Sequence, residues 1–163
     1  MEYAERSRLA DLEGIVGTRF ENRALLAQAV THRSCRLRVG SKIVVQSNEM
    51  LEFLGDRVLE LSVCKHLHHT YPDETEYFYA TILSLSVSNK SLADIAASLG
   101  LQDYLVTRSV KVPSQRLLAD MVEAIIGALY LDSGLDAVDR FLGMCLFTRI
   151  GEIVRKNLES VRH

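Results

Sequence analysis

Apolar residues recur every three or four positions along most of the chain, in segments separated by short polar breaks, which is the rhythm of amphipathic helices. Residues 5–16 place Leu9, Leu12 and either Ile15 or Val16 on one side before Gly17. Glu21 to His32 carries Ala24, Leu25, Ala27 and Ala29 in a compact pattern and predicts a second helix. A long helix is expected from Glu49 to about His69, entered through Asn48 as N-cap and stopped at Tyr71-Pro72, because the residue before proline avoids the helical region. Pro72 to Glu76, with proline and acids in a first turn, should restart a helix that runs through Val87. Ser88 or Asn89 then caps a helix with Leu92, Ile95, Ala96 and Leu99 on one side, closed by Gly100. Residues 101–114 read as a connector. From Ser114, LLADMVEAIIGALYLDSG is apolar almost all round, as a buried helix is, and should end near Gly134. Leu135 to about Leu158 supplies the last amphipathic helix. Arg36 to Ser47 contains Ile43, Val44 and Val45 but is flanked by Gly40 and polar residues, and reads as an irregular loop. The expected architecture is an all-α bundle.

Acids interrupt this pattern where they should not. In SNEMLEFLGDRVLEL, Glu49, Glu52 and Asp56 are threaded through apolar residues. At roughly 100° per residue they fall within an arc of about 60° and climb about 10 Å along one helix face. Asp120 and Glu123 repeat the device inside the most apolar helix. A single acid pair at i, i+3 is usually solvated; two sets embedded in the two most apolar helices are harder to place in water. Helices packed about 8–10 Å apart would make these carboxylates converge. Such a cluster cannot stay ionised without cations. Oxygen-only ligation suits a hard ion such as Mg²⁺, and a divalent ion among carboxylates suits phosphodiester chemistry. Spacing alone goes no further than a divalent-metal site with phosphoryl chemistry.

Composition narrows the class of protein. The chain has 163 residues, 48% hydrophobic and 25% charged, with a formal net charge of −2. That fits one globular domain and argues against a domain-wide basic surface, though not against a local patch. Cys35, Cys64 and Cys145 form no C-x-x-C pair and read as free thiols of a reducing compartment. No signal-type or membrane-length apolar run is present, so the expected location is cytoplasmic, without membrane association.

NEMLEFLGDRVLEL resembles the N-E-x-L-E-F-L-G-D-x-V-L signature of ribonuclease III nuclease domains. ALLAQAVTHRS resembles that family's L-x-x-A-x-T-H-x-S segment, and LLADMVEAIIGALYLDSG its second acidic motif, in the same order over about residues 8–150. The resemblance implies a homodimeric all-α endonuclease that cuts double-stranded RNA with Mg²⁺, or with Mn²⁺ as a substitute. Its products would carry 5′-phosphate and 3′-hydroxyl ends and short 3′ overhangs, in RNA processing such as that of ribosomal precursors. By motif position Glu52, Asp56, Asp120 and Glu123 match the metal-binding catalytic acids, with Asp56 and Glu123 the foremost choices as direct ligands. Glu49 and Glu76 match accessory acids. Phe53 matches an aromatic that inserts into the partner subunit, whereas burial tendencies alone would make it core.

Arg33, Arg36, Arg38, Lys42, Arg108, Lys111 and Arg116 flank the acidic motifs as candidate RNA phosphate contacts. His32 reads as a structural hydrogen-bonding residue, and His66, His68 and His69 as helix-end histidines rather than a metal site. EYFYATILSLSV, Glu76 to Val87, departs from the family pattern in having no charge after Glu76. The sequence ends at NLESVRH, leaving no room for the double-stranded-RNA-binding domain that commonly follows in bacterial members, so a single catalytic domain over 1–163 is expected. The competing reading is an inactive module that binds RNA or protein; such modules should lose core acids, and all four are present here. An unrelated helical phosphohydrolase is the third, disfavoured by the lack of a histidine–aspartate ligand pair.

Overall fold

The computed structural model of the chain describes residues 2–39 and 42–161. Seven α-helices dominate: α1 (Glu2–Val16), α2 (Arg23–Ala29), α3 (Glu49–Thr70), α4 (Glu76–Ser86), α5 (Asn89–Ser98), α6 (Gln115–Cys145) and α7 (Phe147–Val161). The mostly helical expectation holds, with one addition. Arg36 to Ser47 is not an irregular loop but carries two short antiparallel strands, β1 (Leu37–Val39) and β2 (Lys42–Val45), paired Leu37 to Val45 and Val39 to Lys42. The β-branched run Ile43 to Val45 forms β2 despite its polar flanks.

Helix ends differ from expectation for local reasons. Asn22 caps α2 by accepting the Ala24 amide at 3.2 Å, and the chain leaves the helix before Thr31 to make backbone bonds elsewhere. Helix α4 starts at Glu76 rather than at Pro72, because the extended backbone of Thr75 lets its hydroxyl accept the Phe78 amide at 3.2 Å. Ser88, not Asn89, caps α5, and Gly100 follows it in the left-handed conformation. Residues 101–114 include a 3₁₀ turn, Leu101–Tyr104.

The two expected C-terminal helices are divided differently. Gly134 does interrupt α6, with φ 77° and ψ −176°, yet the helical path resumes at once and runs to Cys145. A second break falls at Leu146, where neither glycine nor proline marks it.

The first half of α6 is the axis of the molecule. Met121, Val122, Ala124, Ile125, Ile126, Ala128 and Leu129 are all fully buried, as an all-round apolar helix requires. Helix α3 packs along it, with Leu51, Val58, Leu59, Val63 and Leu67 in the shared core; Leu92, Ile95 and Ala96 of α5 and Leu26 and Ala29 of α2 complete the surround. The α3–α6 crossing is closed by two glycines. A Cβ on Gly55 would lie 1.7 Å from the Glu123 carbonyl oxygen, and one on Gly127 would lie 2.2 Å from that of Leu51. Only hydrogens fit there, so the backbones touch, and the acids beside these glycines are drawn together.

Candidate active site

Gly55 is flanked by Glu52 one turn earlier and Asp56 next to it, while Gly127 follows Glu123 by one turn and Asp120 by two. The backbone contact therefore sets two acidic faces against each other. Carboxylate oxygens of Glu52, Asp120 and Glu123 all lie within 4.8 Å of one another, and all three side chains are half-buried. Asp56, foremost among the expected ligands, stands outside this group. Its carboxylate is turned to the Arg57 guanidinium at 2.6 Å, although its charge still acts on Glu123.

The acids register the cost of this crowding. Burial pushes Glu123 up to about 8 from its ordinary 4.5, with further upward pressure from Asp56, Asp120 and Glu52 and only Arg57 opposing. Glu52 is raised by burial and by Asp120 and Glu49, against the pull of Arg116 and Arg33. Asp120 is raised by burial, with Arg116, Arg33 and His32 opposing. Three half-buried carboxylates that resist ionisation, with no nitrogen or sulfur ligand in the group, fit a hard divalent cation.

Glu49 sits at the start of α3, where its carboxylate accepts from the Ser47 hydroxyl at 2.8 Å and pairs with Arg36 at 3.4 Å. Glu76 opens α4 as an exposed residue and is not among the three grouped acids. Asn48 occupies the position expected of an N-cap but does not cap: its own backbone is helical, with φ −72° and ψ −10°, and its side chain makes no capping bond.

A cleft of about 880 Å³ opens beside the acids, lined by Arg33, Asn48, Glu52, Phe53, Arg116 and Asp120 among others. The THRS segment holds its walls together. Thr31 accepts the Asn48 amide at 2.9 Å, His32 donates its amide to Val106 at 2.9 Å, and Val106 donates to Val30 at 2.8 Å. His32 also accepts the Ser34 amide through Nδ1 at 3.2 Å, the structural role expected of it. Arg33, from the THRS segment, and Arg116, from the first turn of α6, both line the cleft. Lys111 and Arg108 are exposed outside its lining, and the side chains of Arg38 and Lys42 lie outside the described residues. Phe53 is 68% exposed and belongs to no core. His66 stacks on Phe147 with ring centroids 4.1 Å apart and His68 meets Tyr79 edge-on, both packing roles.

Comparison with known proteins agrees with this geometry. The Ribonuclease-III-like family profile matches residues 22–150. The chain belongs to the ribonuclease III family. It is 38% identical over 152 residues to Ribonuclease 3 of Geobacillus thermodenitrificans, covering 90% of this chain and 61% of that protein. To Ribonuclease 3 of Chloroflexus aggregans it is 40% identical, covering 90% and 66%. The chain therefore spans less than two thirds of the length of these curated relatives. The nuclease domain of the Campylobacter jejuni ribonuclease III superposes with a TM-score of 0.73 at 32% identity, covering 82% of this chain and 92% of that one. Both stretches that form the carboxylate group, and the glycine contact between them, lie within the family match.

Proposed function

We propose that this chain is a divalent-cation-dependent endoribonuclease acting on double-stranded RNA as a homodimer. The observation that carries the proposal is the meeting of Glu52, Asp120 and Glu123 within 4.8 Å across the Gly55–Gly127 contact, at one end of a cleft that also holds Arg33 and Arg116. These three acids would hold Mg²⁺, or Mn²⁺ in its place, with Asp56 joining once its side chain leaves Arg57. The cation supplies Lewis acidity and offsets negative charge on the phosphate oxygens. Glu123, ionised once a cation is held, would accept a proton from the attacking water. The water oxygen bonds to phosphorus as the bond to the 3′ oxygen breaks, and that oxygen takes a proton from solvent, leaving 5′-phosphate and 3′-hydroxyl ends. Arg33, Arg116 and, farther out, Arg36 and Lys111 hold backbone phosphates.

No described helix is long and apolar enough to cross a membrane; processing of RNA, ribosomal precursors included, in the cytoplasm is the setting this reading supports. The Campylobacter jejuni relative has a region involved in dimer formation, and exposed Phe53 beside the cleft supports the same assembly here.

Incubation of a long RNA duplex with Mg²⁺ tests the reading, with Glu123→Gln in parallel. Discrete short duplex products, and a loss of at least about a hundredfold in the variant, are expected, since an essential acid is removed. Equal cutting by Glu123→Gln would reject this site.

A further inference from the structure

Asn48 is 2% exposed, and its side-chain Nδ2 is buried without a hydrogen-bond partner among the described residues. An orphaned buried donor is costly and calls for a partner that the folded chain itself does not provide. Asn48 lies in the wall of the cleft beside the acids, between His32, Arg33, Glu49 and Glu52.

The surroundings give the missing partner a sign. Helices α3 and α6 both begin at this cleft: Asn48 and Glu49 line it from one, Ser114, Arg116 and Leu117 from the other. Each helix start presents the positive end of a long peptide dipole. Glu49, the acid at this end, is held by the Ser47 hydroxyl and Arg36. Arg33 and Arg116 are exposed and close no ion pair among the described residues, and the acids they act on across the cleft are Glu52 and Asp120, both assigned to a cation. A divalent cation offsets part of that negative charge, which weakens the hold of the acids on the arginines and frees the guanidinium groups for an added oxyanion. A water would satisfy Asn48 alone; an oxyanion satisfies the amide, both guanidinium groups and both helix ends.

We propose that Asn48, Arg33 and Arg116, together with the starts of α3 and α6, form a phosphate-anchoring subsite beside the metal acids. Asn48 donates Nδ2–H to a non-bridging phosphate oxygen. The subsite rests on the nuclease reading for its natural ligand, a backbone phosphodiester of the RNA duplex next to the one being cut. Asn48 is then a substrate-binding residue whose unmet donor is tolerated in the free protein.

The test uses Asn48→Leu, which keeps the branched shape without the donor, and Arg116→Gln, an exposed change that leaves packing alone. Two signals are read: the rise in Tm caused by inorganic phosphate at low ionic strength with Mg²⁺ held at a fixed concentration, and KM and kcat for duplex RNA with Mg²⁺. Without phosphate, Asn48→Leu should melt no lower than the parent, since the group it removes is unpaired. The phosphate-dependent rise should be lost in both variants, and KM should increase about tenfold with kcat within about twofold. A phosphate response of parental size in Asn48→Leu, or a parent with no response, overturns the subsite. Should the parent leave duplex RNA uncut while phosphate still stabilises it through Asn48, the nuclease reading fails and the anchor stands.

Discussion

Glu123 is where sequence, burial and chemistry meet most sharply. Its carboxyl is held up to about 8, against an ordinary 4.5, first by burial and then by Asp56, Asp120 and Glu52. Between those two values the folded state keeps a proton that the unfolded state has released. The contribution to stability is therefore fully present below about pH 4.5 and is lost as pH rises through about 8. A divalent cation competes for the same oxygens, so its stabilising effect should grow in that direction. At a hundredfold excess over Kd the gain is about 2.7 kcal/mol, or about 5–10 °C in a chain of this size. Thermal melts with and without Mg²⁺ at about pH 6 and about pH 8.5 check this. The Mg²⁺-dependent rise should be larger at the higher pH and missing from Glu123→Gln; a rise independent of pH, or retained by that variant, would contradict the assignment. The spacing of the acids was readable because i, i+3 and i, i+4 positions share a helix face. The turn of the Asp56 carboxylate toward Arg57 was not, since a neighbouring arginine decides where a half-buried carboxylate points. Asn48 was missed as well: at a helix start asparagine ordinarily caps, and only backbone angles reveal that this one does not.

At the scale of elements, the crossing of α3 and α6 does more than any single acid to make the site. The sequence marks both glycines, but mid-helix glycine signals only lowered propensity until its opposite number is known. Gly55→Ala would put a methyl group 1.7 Å from a backbone oxygen, and backbone cannot step aside as a flexible side chain can. The helices must part, at a cost of about 3 kcal/mol, at the upper end of ordinary overpacking. Denaturant melts should show that loss, and the Mg²⁺-dependent rise in Tm should shrink with it because Glu52 and Glu123 separate. An alanine variant with parental stability would mean that the close approach is not obligatory. Helix cores were legible elsewhere for the same reason that α6 was: Leu92, Ile95 and Ala96, and the run from Met121 to Leu129, are periodic or uniformly apolar and are buried accordingly. Boundaries were less legible. Thr75 rather than Pro72 starts α4, Leu146 ends α6 with no breaker residue, and three β-branched residues outvote their polar flanks to make β2. Each outcome is settled by a local hydrogen bond or by tertiary packing, neither of which has a period.

For the molecule as a whole, the outer face of α3 is the feature that a lone chain leaves unexplained. Met50 is 74% exposed, Phe53 68% and Leu61 55%, with exposed Arg57 between them. Their spacing of three, four and four residues lays them in one stripe along the helix. Phe53 also lines the cleft that holds Glu52 and Asp120, so a subunit covering the stripe would border the site. A two-fold axis uses each such aromatic twice, once from each copy. If each Phe53 anchors the partner, its removal costs about 2 kcal/mol per copy, so about 4 kcal/mol for the pair and a dimer weakened about a thousandfold. Because the ring lies outside the core, Phe53→Ala should leave the Tm of the separated chain almost unchanged. Sedimentation across a dilution series distinguishes the cases. A shift toward monomer at concentrations where the parent is dimeric supports the anchor, and the variant's duplex cleavage should fall with its dimer fraction. An unchanged dimer with unchanged cleavage would move the interface away from this stripe, and the exposed apolar face of α3 would then need a different occupant.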